Sequence, residues 1–146
     1  MKIAIAADHA AFIVKEKIII YLKKQGLEIE DLGTNSDISV DYPLYGQKVA
    51  QSILSGDCDR GIIIGGTGIG ISIAANRFEN IRAALCTSII HAEMARKHNN
   101  SNVLALGARV TELEIIKNII DVWLNTDFEG GRHQNRLDLI DGLQNG

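Results

Sequence analysis

Short apolar runs alternate with segments of helical periodicity along all 146 residues, and this alternation restricts the fold more than any other feature of the chain. Residues 2–7, 27–32, 60–64, 81–86 and 103–106 read as strands. Between the first two, 11–25 carries Phe12, Ile18, Ile19 and Leu22 on one recurrent apolar face, and Gly26 stops it. A helix over 42–54 follows Asp41 as its cap, with Pro43 opening it, and further helices are predicted at about 71–78 and 89–99. Thr111 and Glu114 have the spacing of a capping box for a helix running to about 125, and after Glu129-Gly130-Gly131 a last helical segment covers 132–143.

Parallel strands need crossovers, and the crossovers place helices on both faces of the sheet. The expected fold class is therefore α/β: a three-layer α/β/α sandwich around a five-stranded parallel sheet, Rossmann-like, as a single domain over 1–146. In such sheets ligands sit beyond the carboxyl ends of the strands. Asp8 and His9 follow the first strand, a glycine loop follows the third, Cys86 and Thr87 follow the fourth, and Gly107-Ala108-Arg109 follows the fifth, so all are expected to rim one cleft. Cys86 is expected beside the third strand.

The loop reads Gly65-Gly66-Thr67-Gly68-Ile69-Gly70. Its glycines permit φ > 0 and let backbone N–H groups come close to an anion, such as a phosphate, a carboxylate or an enolate oxygen. A tight strand-to-helix turn with no ligand is the competing reading. A dinucleotide fingerprint is excluded because the glycines run G-x-G-x-G after the third strand and no acidic residue ends the next one. No Gly-Lys-Ser/Thr closes the motif, which excludes a P-loop.

A formal net charge of −3, with Lys and Arg scattered along helices, argues against a nucleic-acid partner. The apolar start is cut by Asp8 and His9, too short for a signal peptide or membrane span, so the expected location is cytoplasmic, with Cys58 and Cys86 reduced. His91 and His98 share a helix face but lack a third ligand in step, and no metal site is expected from them.

Asp8 is placed either to accept hydrogen bonds from sugar hydroxyls or to cap the helix after it. His9 adds a titratable donor. His98, with Asn99 next to it, is suited to moving protons near neutral pH, or is simply a solvated helix end. Arg132 and Arg136, four apart, can grip a phosphate with forked hydrogen bonds, or can be ordinary surface arginines.

In combination, Ala7-Asp8-His9, Asp41-Tyr42-Pro43, the loop Gly66 to Gly70 running on to Ala74-Ala75-Asn76, Ile81-Arg82-Ala83, His98-Asn99, Leu106-Gly107-Ala108-Arg109 and Glu129-Gly130-Gly131-Arg132-His133 resemble the type B ribose-5-phosphate isomerases and the related galactose-6-phosphate isomerase subunits, in order and over nearly the whole chain. The resemblance implies interconversion of ribose 5-phosphate and ribulose 5-phosphate through an enediolate, in the non-oxidative pentose phosphate pathway. It implies no metal or organic cofactor, and a homodimer with shared sites, or a tetramer made of two such dimers. It gives Asp8 contact with the sugar hydroxyls or ring oxygen, His98 a part in ring opening, and Asn99 a part in positioning the sugar. Gly66, Thr67, Gly68, Ile69 and Gly70 would hold the enediolate oxygen, with Thr67 assisting the proton. His9, Arg109, Arg132 and Arg136 would bind the phosphate, some across the dimer interface.

In this family a cysteine just before the loop commonly acts as the base, and the matching position here is Gly65, without a side chain. A second branch uses a glutamate at the position that is Ile71 here. Three replacements follow: Cys86 as a substitute thiolate, Asp8 or a loop-held water as the base, or a phosphosugar-binding, regulatory or partner-dependent protein that has lost the reaction.

Overall fold

The structure, a computed structural model, describes residues 1–142. Five parallel strands stand in the order β2-β1-β3-β5-β4. They are β1 (Lys2–Ala7), β2 (Glu28–Asp31), β3 (Arg60–Gly65), β4 (Ala83–Leu85) and β5 (Val103–Gly107). The helices are α1 (Phe12–Lys24), α2 (Tyr42–Leu54), α3 (Ile69–Ala75), α4 (Ile89–Lys97), α5 (Leu113–Asn125) and α6 (Arg132–Asp141), with a short 3-10 turn at His9–Ala11. Position 143 of the expected last helix lies outside the described residues.

Side chains alternate along each strand, so each central strand feeds two cores. Ile3, Ile5, Ile62, Ile64, Leu104 and Leu106 pack with Ile18, Leu22, Ile116, Ile120 and Trp123 from α1 and α5. On the other face Ala4, Ala6, Ile63, Val103 and Ala105 meet Val49, Ala50, Ile71 and Ala75 from α2 and α3. The small side chains on this second face let α2 and α3 approach the sheet closely.

The strand order corrects one expectation. β4 is an edge strand paired only with β5, so Cys86 does not lie beside β3. A strand buried on both faces needs a continuous apolar run. Val103 to Gly107 is wholly buried and takes the inner place, whereas Ala83, Ala84 and Leu85 are half-buried and take the edge.

Two helix starts differ from the local sequence signals. Glu112, rather than Thr111, is the N-cap of α5 and makes no side-chain cap bond, so no capping box forms. Asp41 caps α2 by position without a side-chain bond, and Pro43 sits one residue inside. In α1 the half-buried Phe12 contributes less to the buried face than Lys15, which is fully buried. Its Nζ donates to Asp31 Oδ1 at 2.8 Å and Oδ2 at 2.9 Å. No described helix is long and apolar enough to cross a membrane.

Candidate functional site

At the carboxyl end of the sheet, three strands deliver the predicted groups side by side. The Asp8 N–H donates to Ile64 O at 3.1 Å, tying the end of β1 to β3. The N–H groups of Ala108 and Arg109 donate to Gly65 O and Gly66 O, both at 2.9 Å, tying β5 to the loop. Arg109 thereby lies over the loop: a Cβ added to Gly66 would stand 3.3 Å from Arg109 Nη1.

Asp8 is nearly buried, and its Oδ1 accepts from Ala10 N–H at 2.9 Å. Both readings of Asp8 thus meet in one side chain. Oδ1 caps the 3-10 turn, while Oδ2 faces the loop 3.6 Å from where a Gly65 Cβ would be. His9 Nδ1 accepts from Val40 N–H at 3.1 Å, so in the neutral ring the proton sits on Nε2.

The loop needs its glycines for distinct reasons. Gly68 has φ +82°, and a Cβ there would lie 2.7 Å from Leu106 O. Gly70 lies under the ring of Tyr42, and Gly107 lies against the Thr67 carbonyl. Gly65 has neither constraint: a Cβ would meet only ordinary contacts at 3.4–3.6 Å. The amides of Gly66, Thr67 and Gly68 find no acceptor among the described residues, so three N–H groups remain available to a ligand oxygen. Exposed Thr67 accepts from Ile69 N–H at 3.2 Å. Tyr42 was not among the predicted site residues; the signal for it was a glycine at position 70 that leaves room for a ring.

Cys86 does not belong to this set. It is 1% exposed within the apolar core, and burial pushes its thiol up to about 12. A thiol in that environment stays protonated and unreactive near neutral pH, which corrects the substitute-thiolate expectation.

His98 and Asn99 lie at the opposite end of the sheet. Helix α4 runs back against the strand direction, so its last turn reaches the amino ends of β4 and β5. There Arg82 Nε donates to Asn99 O at 2.9 Å, and Arg82 N–H donates to Asn102 Oδ1 at 2.8 Å. β5 spans the gap between the two ends, roughly 16 Å at the usual strand rise. Helix α6 crosses the amino end, with Arg82 Nη1 3.2 Å from Asp141 and the His133 ring stacked on His98 at 4.3 Å. Burial, together with the neighbouring His98, holds the His133 pKa below the ordinary imidazole value. Arg132 and Arg136 are exposed on α6. A cavity of about 380 Å³ opens at this end, lined by Phe78, Arg82, Asn99, Ile140 and Asp141. One chain therefore unites Asp8, His9, the loop and Arg109, and separately unites His98, Asn99, Arg132 and Arg136. It does not unite the two sets.

Residues 3–140 match the family model described as Ribose/Galactose Isomerase. Ribose-5-phosphate isomerase B of Escherichia coli is 48% identical, the alignment covering 98% of this chain and 96% of that protein. The solved structure of ribose-5-phosphate isomerase B from Clostridium thermocellum superposes with a TM-score of 0.98 at 50% identity, over 99% of this chain and 98% of the other. Its counterpart from Thermotoga maritima superposes with a TM-score of 0.96 at 54% identity, over 97% and 98%. With the strand-end glycine loop and its flanking Asp8 and Arg109 already in place, these matches establish that the chain belongs to the ribose/galactose isomerase family.

Proposed function

We propose that the protein is an aldose-ketose isomerase that interconverts ribose 5-phosphate and ribulose 5-phosphate. The observation that carries the reading is the juxtaposition of a carboxylate with three backbone amides that find no acceptor among the described residues, at the carboxyl end of the sheet. Isomerisation requires removal of a proton from the carbon beside the carbonyl, stabilisation of the enediolate and return of the proton to the neighbouring carbon. In the open-chain aldose, Asp8 Oδ2 takes the C2 proton, and the Gly66–Gly68 amides hold the oxygen on which negative charge develops. The same proton returns to C1, while Thr67 shuttles the hydroxyl proton between the two oxygens. No metal or organic cofactor has a role in this sequence.

Asp8 as base replaces the side chain that Gly65 lacks. Cys86 cannot serve, because it is buried and its thiol is held protonated. His9 and Arg109 receive the phosphate from one chain. His98, Asn99, Arg132 and Arg136 complete the site from a second copy, since in a single chain they occupy the far end of the sheet. The working unit is thus a cytoplasmic homodimer with composite sites, and its two buried free cysteines suit a reducing compartment.

The test is direct assay of ribulose 5-phosphate formation from ribose 5-phosphate by the purified protein. Turnover supports the reading. Tight phosphosugar binding without turnover rejects it in favour of a binding protein that has lost catalysis.

A further inference from the structure

We propose that His98, Glu129 and His133 form a reversible binding site for a zinc-class transition-metal cation. The three donors come from the end of α4, the connection before α6 and the first turn of α6, and their ligand atoms all lie within 4.8 Å of one another. His91, the partner considered for His98 from sequence, instead lies 3.4 Å from Thr87 Oγ1. Both partners of His98 are supplied by a different part of the chain, the stretch that leads into α6.

Two imidazoles and one carboxylate are a donor set that zinc accepts, with a fourth position left to water. Magnesium and calcium prefer all-oxygen shells, so they are disfavoured. Donors around a tetrahedral zinc stand about 3.4 Å apart at ordinary bond lengths. The Nε2 of His98 and Oε1 of Glu129 are now 4.0 Å apart. The His98 and Glu129 side chains are 42% and 51% exposed while His133 is buried, so closing the set falls to the first two.

The Glu129 backbone is anchored where it is needed, its N–H donating to Lys97 O at 3.1 Å. Metal binding must open the stacked rings, now 14° from parallel, into a wedge so that both nitrogen lone pairs converge. Arg132 and Arg136 both bear on His133, and Lys97 bears on Glu129, so three cationic side chains oppose the ion. The site is accordingly weaker than a closed structural zinc centre, and it fills and empties with metal supply.

Occupancy removes the His98 nitrogen from the composite sugar site and so inhibits isomerisation. This consequence rests on the proposed function; the binding itself does not. The test is titration of chelator-stripped protein with Zn²⁺ by calorimetry and with Co²⁺ by visible absorption. The expected result is one equivalent per chain, a low-coordinate Co²⁺ spectrum, and affinity reduced at least about tenfold in Glu129→Gln and in His133→Ala. His91→Ala should bind normally. Absence of saturable binding, or unchanged affinity in Glu129→Gln, overturns the site, and the exposed Glu129 keeps that decision open even if His133→Ala fails to fold. Zinc binding by a protein that shows no turnover even when stripped of metal supports the metal site and rejects the isomerase reading.

Discussion

Asp8 Oδ2 lies 3.6 Å from the point where a side chain on Gly65 would begin. A carboxylate thus borders the space that a residue at 65 would fill, and in the proposed mechanism it supplies the base that position 65 lacks. Asp8→Asn keeps an oxygen for the Ala10 N–H and should fold normally. Its kcat for ribose 5-phosphate is expected to fall about 10²- to 10³-fold, measured by steady-state kinetics; an unchanged kcat removes Asp8 as the base.

Gly65→Cys should raise kcat about tenfold on its own, and by a larger factor in the Asp8→Asn background, where the thiol is the remaining base. Equal factors in the two backgrounds would mean that the residues act independently.

The glycines of the loop differ in what they tolerate. Gly65→Ala should alter unfolding free energy by no more than about 0.5 kcal/mol, because its Cβ meets ordinary contacts. Gly68→Ala should cost about 3 kcal/mol, since alanine must adopt φ near +82° with its methyl against the Leu106 carbonyl. Urea denaturation of both variants separates the two cases, and equal losses would contradict the loop geometry.

Separation of the two residue sets in one chain makes complementation possible. An Asp8→Asn chain and a His98→Ala chain, each nearly inactive, should regain activity when unfolded and refolded together. In the proposed homodimer each mixed pair has one intact site of two, and half of the pairs are mixed, so about a quarter of unaltered activity is expected. Failure to recover any activity, with mixed dimers verified by mass spectrometry, would reject a site shared between copies.

Cys86 predicts the alkaline limit of stability. Burial raises its thiol from the ordinary 9.0 to about 12, so between those values the folded chain keeps a proton that the unfolded chain has lost. More protons bound in the folded state means that stability falls as pH rises. The contribution is complete below about pH 9. It is lost as pH climbs toward the folded value. Cys58, raised mainly by burial and then by Glu30, and Tyr21, raised mainly by its hydrogen bond to Asp121, act in the same direction. Melting temperature should be flat from neutral to about pH 9 and then decline, less steeply in Cys86→Ala, and a thiol reagent should label Cys86 at pH 8 only after unfolding.

The alternating periods of the chain were enough to specify strands, helices and a parallel sheet, because side-chain direction repeats every second residue in a strand and about every 3.6 in a helix. The glycine loop and Asp8 were legible for a related reason: a strand's carboxyl end places whatever follows it, and both lie within a few residues of such an end. Strand order was less legible. It depends on which of two apolar segments buries more surface, and the fully apolar Val103 to Gly107 displaced Ala83 to Leu85 to the edge.

The local sequence also determined that His98 ends a helix, but not which end of the molecule that helix would reach. Only the tertiary structure decided that His98, Asn99 and Arg132 stand about a strand's length from Asp8, that Glu129 and His133 gather around His98, and that Cys86 is sealed in the core. These are long-range outcomes of packing helices onto a sheet, where the direction of each crossover, and not the spacing along the chain, fixes which side chains meet.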